Sequence, residues 1–355
     1  MKNLFLFVSL CLGVSAWAQT PAASAPGTSA AAEVRQLESR LDELESESSV
    51  WQKIVARLPR FSGYVQAGYQ YSDDASTFFL KRVRLSLAGD IAPKLDYKIQ
   101  FEFCKPQLVD AFIQYRPLDQ LNIRLGQYKV PFSIENTDYV PTKLELIEYP
   151  MVLQKLMGFS DVCGISATGR DLGATLYGGF FRRDGYSIVS YDLGVFNGAG
   201  INTKDNNKTK DIAARLAVRP VRGLLLSGSY YWGEYGASYF KRERYAAGIC
   251  YDRGAVVVRS EWIGGRTGSD RGEFDSDGWY VMAGWRAPHN LMPAVRFEQF
   301  TLDTARRSAS RQNNYTVGLL WAPVKYLRCQ LNYTYEDSAA GASNNVLSLM
   351  FTGMF

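Results

Sequence analysis

The pattern of apolar and polar residues changes its period near residue 60. Before that point, apolar side chains recur at alternating spacings of three and four residues, with glutamate and arginine between them. The series is Val34, Leu37, Leu41, Leu44, Ser48, Trp51, Val55 and Leu58. This spacing predicts the a/d seam of a coiled coil of about four heptads. A single amphipathic helix packed on the rest of the protein is the alternative.

From Phe61 onward the period is two, which is typical of β-strands. In KLDYKIQFEF every odd-numbered position is apolar and every even-numbered position is polar. In FLKRVRLSLAG the same pattern predicts Phe79 and Val83 on the apolar face and Arg82 and Arg84 on the polar face. We count about 16 such runs. They are centred near residues 66, 84, 99, 112, 124, 176, 192, 215, 228, 247, 259, 281, 298, 317, 331 and 350.

The segments between these runs fall into two groups. Short proline-marked turns occur in DIAPKLDYKIQF, YRPLDQLNIRLG, VRPVRGLLLSGSYY, RAPHNLMPAVRFEQF and WAPVKYLRCQLNYTY. Longer polar loops are predicted in NGAGINTKDNNKTKD, GRTGSDRGEFDSDG, DTARRSASRQNN and EDSAAGASNN. A soluble β-sandwich also alternates, but short turns at one end and long loops at the other are typical of an outer-membrane barrel.

The fold class predicted is therefore all-β: a 16-stranded antiparallel transmembrane β-barrel with a short N-terminal coiled-coil helix. The terminal stretch SLMFTGMF is predicted to be the last strand, with Leu349, Phe351 and Phe355 facing lipid. It would pair with the first strand near residues 61–71, because lipid leaves an open sheet edge without hydrogen-bond partners.

The N-terminus and the composition agree with export to the outer membrane. Residues 1–18, MKNLFLFVSLCLGVSAWA, carry a lysine, an apolar run and small residues, and are predicted to be a signal peptide. Residues 19–32 form a flexible linker, residues 33–59 a periplasmic coiled coil and residues 60–355 the barrel. The chain contains 22 Tyr, 19 Phe and 31 Gly, which suits an amphipathic β wall better than a helical bundle.

Several stretches resemble the phosphate-selective porins O and P. They are FFLKRVRLSLAGDIAPKLDYKIQFEF, VDAFIQYRPLDQLNIRLGQYKVPFSIEN, GRDLGATLYG and LGVFNGAGINTKDNN. The resemblance implies a trimeric 16-stranded outer-membrane porin whose long third loop folds into the pore. It also implies passive diffusion of small hydrophilic solutes, often anions, with phosphate as one candidate.

The longest interruption of the strand pattern, about residues 130–170, is the predicted third loop. A loop folded into the pore would narrow the channel, whereas an extracellular flap is the alternative. Its charged residues near the predicted constriction are Lys143, Glu145, Glu148 and Lys155. In the family the inward loop usually pairs a glutamate with a following arginine, but here Tyr149 follows Glu148.

Solute selectivity would come from charged residues on the polar face of the strands. The basic candidates for lining the pore or binding solute are Arg82, Arg84, Lys98, Arg124, Arg215, Arg219, Arg259, Arg296 and Arg328. The acidic residues predicted to oppose them are Asp96, Glu102, Asp110, Glu261, Glu298 and Glu336. Arginine suits phosphate and carboxylate because its planar fork binds two oxygens. Arg82 and Arg84 rank first because they match the family motif, although arginines that only brace the wall are the alternative.

The function predicted is an outer-membrane porin for small hydrophilic solutes, with a lean towards anions. The alternative is a structural outer-membrane barrel with a plugged lumen, whose coiled coil docks a partner or acts as a spacer. A lipid hydrolase is a weaker third reading, because the sole histidine, His289, lies in a predicted turn. No cofactor, metal site or nucleic-acid partner is predicted. The expected partners are outer-membrane lipid, two further copies in a homotrimer, and small anionic or polar solutes.

Overall fold

The structure is a computed structural model that describes residues 39–40, 58–165, 168–339, 341 and 343–355. The chain divides into two units, Met1–Leu58 and Pro59–Phe355. The predicted signal peptide and linker lie outside the described residues. So does the predicted coiled coil, apart from Leu58, Pro59 and the helical pair Ser39 and Arg40.

The second unit is a closed antiparallel barrel in which each strand pairs with its neighbours in sequence and β1 pairs with β16. The strands are β1 Arg60–Ser72, β2 Ser76–Ala92, β3 Leu95–Glu102, β4 Gln107–Tyr115, β5 Asn122–Lys129, β6 Arg170–Arg183, β7 Tyr186–Phe196, β8 Asp211–Val218, β9 Leu224–Tyr235, β10 Phe240–Arg253, β11 Val256–Ser269, β12 Gly272–Trp285, β13 Leu291–Thr301, β14 Arg311–Val324, β15 Leu327–Ser338 and β16 Ser343–Met354. All 16 predicted centres lie within these strands, so the predicted fold class is confirmed for the barrel.

Short helical segments interrupt the connections. Helices α1, Ile134–Asp138, and α2, Met151–Leu156, lie between β5 and β6, and α3, Arg307–Ser310, lies before β14. Single 3-10 turns cover Pro288–Asn290 and Thr304–Arg306. No helix in the described part of the chain is long and apolar enough to cross a membrane.

Closure by the last strand follows the predicted pairing. Ala67 faces Phe351 and Tyr69 faces Leu349 across the β1–β16 ladder. The side chains of Leu349 and Phe351 are exposed on the outside of the barrel, and that of Phe355, just beyond the end of β16, is also exposed. Since the outward positions are apolar, this face is suited to lipid.

The two ends of the barrel differ as predicted in the position of the proline turns. All five lie at one end, which we call the short-turn end, and the connection between β5 and β6 lies at the opposite, long-loop end. Two predicted long loops are wrong. In EDSAAGASNN, strands β15 and β16 leave only residues 339–342 between them. Strands β11 and β12 run through GRTGSDRGEFDSDG and leave only Asp270 and Arg271 between them. The alternation is hidden there because polar side chains such as those of Arg266 and Asp275 pair across exposed strands.

A β-bulge in β2 corrects the predicted face of one residue. Gln66 of β1 faces Arg82, but the next residue, Ala67, faces Leu80, so Lys81 is the extra residue. The bulge reverses the alternation before position 81. As a result Phe78 and Leu80 are exposed outside, and Phe79 does not share the outward face of Val83.

The interior of the barrel contains an apolar cluster as well as polar residues. The described residues of the β5–β6 connection, 130–165 and 168–169, lie inside the barrel and pack against the inward faces of β11, β12 and β13. Buried members of the cluster from the connection include Phe132, Leu144, Leu146, Val152, Leu153 and Leu156. Those from the wall include Val257, Ile263, Tyr280, Met282, Met292 and Phe300. The connection therefore fills one side of the lumen.

Candidate functional site

We call the whole β5–β6 connection, residues 130–169, the inner loop. Arg259 on β11 fixes its first half. Its Nε donates to the Glu135 carboxylate at 2.8 Å and its Nη2 to the Glu145 carboxylate at 2.7 Å. The ring of Tyr139 lies 3.7 Å from the guanidinium carbon. All three charged side chains are at most 7% exposed. Burial raises the pKa of the Glu135 carboxyl, and the nearby Arg259 acts against that rise.

The wall next to Arg259 caps helix α1. The Glu261 carboxylate accepts hydrogen bonds from the backbone N–H groups of Ile134, at 2.5 Å, and of Glu135, at 3.1 Å. Ser133, the N-cap residue, accepts from the Asn136 N–H at 3.1 Å. The helix is too short to hold itself together, so these contacts with the wall fix its position.

Two further arginines of the predicted set hold the backbone of the inner loop. Arg296 on β13 donates to the Glu148 carbonyl at 2.7 Å and pairs with Glu298 at 3.1 Å. Arg328 on β15 donates to the carbonyl oxygens of Thr142 and, at 2.6 Å, of Leu144. Arg259, Arg296 and Arg328 therefore contact the protein itself, as the bracing alternative expected.

The lumen beside the inner loop opens into an inner cavity of about 520 Å³ towards the short-turn end. Its basic side chains are those of Arg84, Lys98, Arg124, Lys129 and Arg170. Its acidic side chains are those of Asp110 and Asp192. Five positive groups against two negative groups make this cavity attractive to anions, because low-dielectric walls focus the charge.

Part of this basic charge is already neutralised by ion pairs. Arg84 pairs with Glu102 at 2.8 Å, and both side chains are about 5% exposed. Asp110 binds Lys98 at 2.8 Å and Arg170 at 2.7 Å. These groups form two clusters on the inward faces of the wall, one on β2 and β3 and one on β3, β4 and β6.

Arg124 on β5 lacks a carboxylate partner among the residues that the structure describes. Its guanidinium donates to the Gln114 side chain at 2.9 and 3.1 Å. It also lies over the rings of Phe112, Tyr128 and Tyr177, at 4.9, 5.2 and 4.9 Å. Because aromatic faces attract a cation without neutralising it, this side chain keeps its full charge in the cavity.

The remaining arginines of the predicted set differ in the partners that they bind. Arg215 on β8 pairs with Asp138 of the loop, and Arg219 donates to the Ser190 hydroxyl at 3.1 Å. Arg82 on β2 donates to the side-chain amide oxygen of Gln66 at 2.9 Å. No carboxylate lies within ion-pair distance of Arg82 in the described ranges.

An outer cavity of about 360 Å³ lies on the long-loop side and is lined by β13–β16, β1 and the inner loop. Its charged side chains are those of Glu148, Lys155, Arg296, Glu298 and Glu336. A third cavity, of about 560 Å³ near the short-turn end, is lined by Lys143, Glu145 and Arg328 among others. The outer cavity shares no lining residue with either of the other two.

Several basic residues of the lumen were absent from the predicted set, among them Arg242 and Arg244 on β10, which lie 3.2 and 3.9 Å from the Asp161 carboxylate of the inner loop. Arg170 begins β6, and Lys129 ends β5 with its Nζ donating to the Asn136 and Tyr139 carbonyl oxygens at 2.7 and 2.6 Å. Lys81 pairs with Glu148 of the inner loop. The alternation identifies Lys129 and Arg170 poorly because they lie at strand ends, and the bulge hides Lys81.

The inward apolar residues did have a signal in the sequence. In VVVRSEWIGG of β11, Val257 and Ile263 face inward while Val258 and Trp262 are exposed outside. A wall strand that is apolar on both faces indicates that protein packs inside the barrel at that point.

The sequence and the fold were compared with known proteins. The model of the family described as phosphate-selective porin O and P matches residues 53–242. No curated protein matches the chain.

Solved porin structures match the fold. The anion-selective porin from Comamonas acidovorans has a TM-score of 0.67 at 15% identity, over 84% of this chain and 99% of that one. OmpT of Vibrio cholerae, in its trimer form, has a TM-score of 0.59 at 9% identity, over 84% and 99%. OmpF of Salmonella typhi, in complex with daunomycin, has a TM-score of 0.58 at 12% identity, over 84% and 97%. At these identities the likeness concerns the fold alone.

Proposed function

Because this chain belongs to the phosphate-selective porin O and P family and is therefore an outer-membrane porin, we propose that it passes small hydrophilic solutes by diffusion with a preference for anions. A channel rather than an enzyme is the class to which the family and the fold point. The anion preference rests on the charge of the lumen, which is a property of this chain's own residues.

The inner cavity carries the proposal. Its five basic side chains exceed its two acidic ones, and the excess includes Arg124 and Lys129, which have no carboxylate partner in the described part of the chain. Arg82 on β2 lies on the long-loop side of this cavity and is a third cation without a carboxylate partner in the described residues. A cation without a partner attracts a passing anion, whereas a paired one mainly stabilises the wall.

Phosphate is one candidate among the anions. An arginine fork can bind two phosphate oxygens, which favours phosphate over chloride. Against this, Asp110 and Glu102 already occupy Arg170, Lys98 and Arg84. We therefore propose a general anion-preferring porin.

We also propose that the protein is a homotrimer, with barrel walls in contact and residues 33–59 forming a coiled coil in the periplasm. The heptad spacing supports self-association, and structurally similar OmpT of Vibrio cholerae has a trimer form. Lipid would cover the remaining apolar outer face.

The test is the reversal potential of the purified protein in a planar bilayer under a KCl gradient, repeated with phosphate added. We expect a current that is carried mainly by the anion. A current blocked or carried by phosphate would narrow the solute class to phosphate. A current carried mainly by potassium would contradict the anion preference.

The second candidate is a structural barrel with a plugged lumen. Two observations favour it: the inner loop buries an apolar cluster inside the barrel, and the outer cavity shares no lining residue with the cavities below it. Single-channel conductance separates the two functions. A folded protein that shows no conductance in the bilayer would favour the plugged barrel.

A further inference from the structure

Between the outer and inner cavities the lumen has a level whose side chains line neither cavity. On β1, Gln70 lines the outer cavity and Tyr64 the inner one, while Gln66 between them is fully buried. On β16, Ser348 lines the outer cavity and Met354 the inner one, while Thr352 is 1% exposed. An anion that crosses the protein must pass this level, which we call the septum.

Two sets of hydrogen bonds hold the side chains of the septum. Arg82 donates to Gln66 at 2.9 Å, and Gln66 donates to the Thr352 hydroxyl at 3.2 Å. Gln330 of β15 donates to the Leu144 and Glu145 carbonyl oxygens at 3.2 and 3.1 Å, which ties the wall to the inner loop. Arg82 is the positive charge of the septum that lacks a carboxylate partner in the described ranges.

Lys81 stands next to Arg82 because of the β-bulge in β2. Without the extra residue, position 81 would face outward like Val83 and Leu85, where a lysine in lipid is unfavourable. The bulge turns the side chain into the lumen, where it pairs with the Glu148 carboxylate of the inner loop. Bulges commonly redirect a side chain in this way beside functional sites.

The Lys81–Glu148 pair differs from the two ion pairs of Arg259 in its exposure. The Glu148 side chain is 54% exposed and that of Lys81 is 17% exposed, whereas the carboxylates that bind Arg259 are at most 7% exposed. An exposed pair is weak and exchanges its partners readily, but a buried one does not. The Glu148 backbone is held separately by Arg296, so the side chain can leave Lys81 without moving the loop.

We propose that Lys81 and Arg82 form the anion-transfer step between the outer and inner cavities. In this step the Glu148 carboxylate is a tethered competitor that an entering anion displaces from Lys81. Lys81 thereby supplies the basic partner that the loop itself lacks, since Glu148 is followed by Tyr149 instead of a basic residue. The inference rests on the proposed porin function and names the residues that set its selectivity.

The test is a double-mutant cycle measured by reversal potential under a KCl gradient, with Glu148→Gln, Lys81→Met and the double variant. Glu336→Gln is the matched control, since Glu336 lines the same cavity but accepts from Asn344 and pairs with no cation in the described residues. Glu148→Gln should raise the chloride-to-potassium permeability ratio about threefold, and Glu336→Gln by clearly less. Lys81→Met should lower the ratio and abolish the extra effect of Glu148→Gln.

Equal shifts in Glu148→Gln and Glu336→Gln would overturn the proposal, as would an undiminished effect of Glu148→Gln in the Lys81→Met background. Heat-modifiable gel mobility checks that each variant is a folded barrel. If the wild-type channel selects potassium, the proposed function is contradicted. The double-mutant cycle would still show whether Lys81 and Glu148 are coupled. If the wild type is silent, conductance gained by Glu148→Gln supports the proposal and continued silence overturns it.

Discussion

At the scale of single residues, neighbouring arginines with the same place in the sequence pattern have different surroundings. Arg82 and Arg84 both face inward on β2 and both match the family motif. Arg84 is 5% exposed and bound to Glu102, whereas Arg82 binds only the neutral Gln66 side chain among the described residues. Arg84 therefore stabilises the wall, and Arg82 is available to an anion.

Removing Arg84 should destabilise the barrel more than removing Arg82. Arg84→Ala leaves the buried Glu102 carboxylate without its partner, which costs about 3–5 kcal/mol. Arg82→Ala should cost less than about 1 kcal/mol, because no buried charge loses its partner. Urea unfolding of the two variants in lipid vesicles measures the difference. Equal losses of stability would contradict the distinct roles.

Arg124 should contribute to the anion preference through its charge. Arg124→Ala removes a cavity cation that has aromatic but no carboxylate partners, so the chloride-to-potassium permeability ratio should fall about two- to fivefold. Arg182→Ala is the matched control, because Arg182 pairs with Asp119 at the short-turn end and is 63% exposed. The same fall in both variants would mean that the net charge of the protein, and not the cavity, sets the ratio.

At the scale of elements, strict alternation made the strands predictable, and departures from it caused the errors. Strand β3 alternates without interruption, and its faces follow the prediction. In β2 a single extra residue, Lys81, shifts the pattern, and one sequence contains no signal for where that residue is inserted. In β11 and β12, polar residues on both faces near Arg266 removed the contrast on which the prediction depends.

The inner loop should depend on Arg259 for its position. Arg259→Ala leaves the Glu135 and Glu145 carboxylates buried without their partner, at a cost of about 3–5 kcal/mol. We expect the loop to detach, to become sensitive to protease in the folded barrel, and to make the single-channel current noisier.

Arg266→Ala is the control for this prediction because it changes the same residue type on the same strand at an exposed pair. It should leave both the loop and the current unchanged. If the Arg259→Ala loop resists protease as well as the wild-type loop does, the apolar cluster alone must hold the loop in place.

At the scale of the whole molecule, the lumen is asymmetric, and the sequence indicates this only through the apolar inward residues of β11. The hydrogen-bond partners that create it are distant along the chain. Arg259 and the Glu135 carboxylate that it binds are 124 positions apart, and the Met151 N–H and the Glu298 carboxylate that accepts from it are 147 positions apart. Alternation tells which face of the wall a residue occupies. It does not tell which inward residue meets the inner loop, so the bracing role of Arg259, Arg296 and Arg328 emerged only from the structure.

The barrel should fold and select ions without residues 33–58, the predicted N-terminal helix. Strands β1 and β16 close the sheet between residues 60 and 354, and all the cavity residues lie within the unit Pro59–Phe355. A variant that retains residues 1–32 but lacks residues 33–58 should therefore insert and show an unchanged permeability ratio. If residues 33–59 form the trimeric coiled coil, its oligomer should dissociate at a lower temperature on semi-native gels, since the apolar seam no longer contributes to association. An oligomer of unchanged thermal stability would limit association to the barrel walls, and a changed permeability ratio would mean that the helix reaches the lumen.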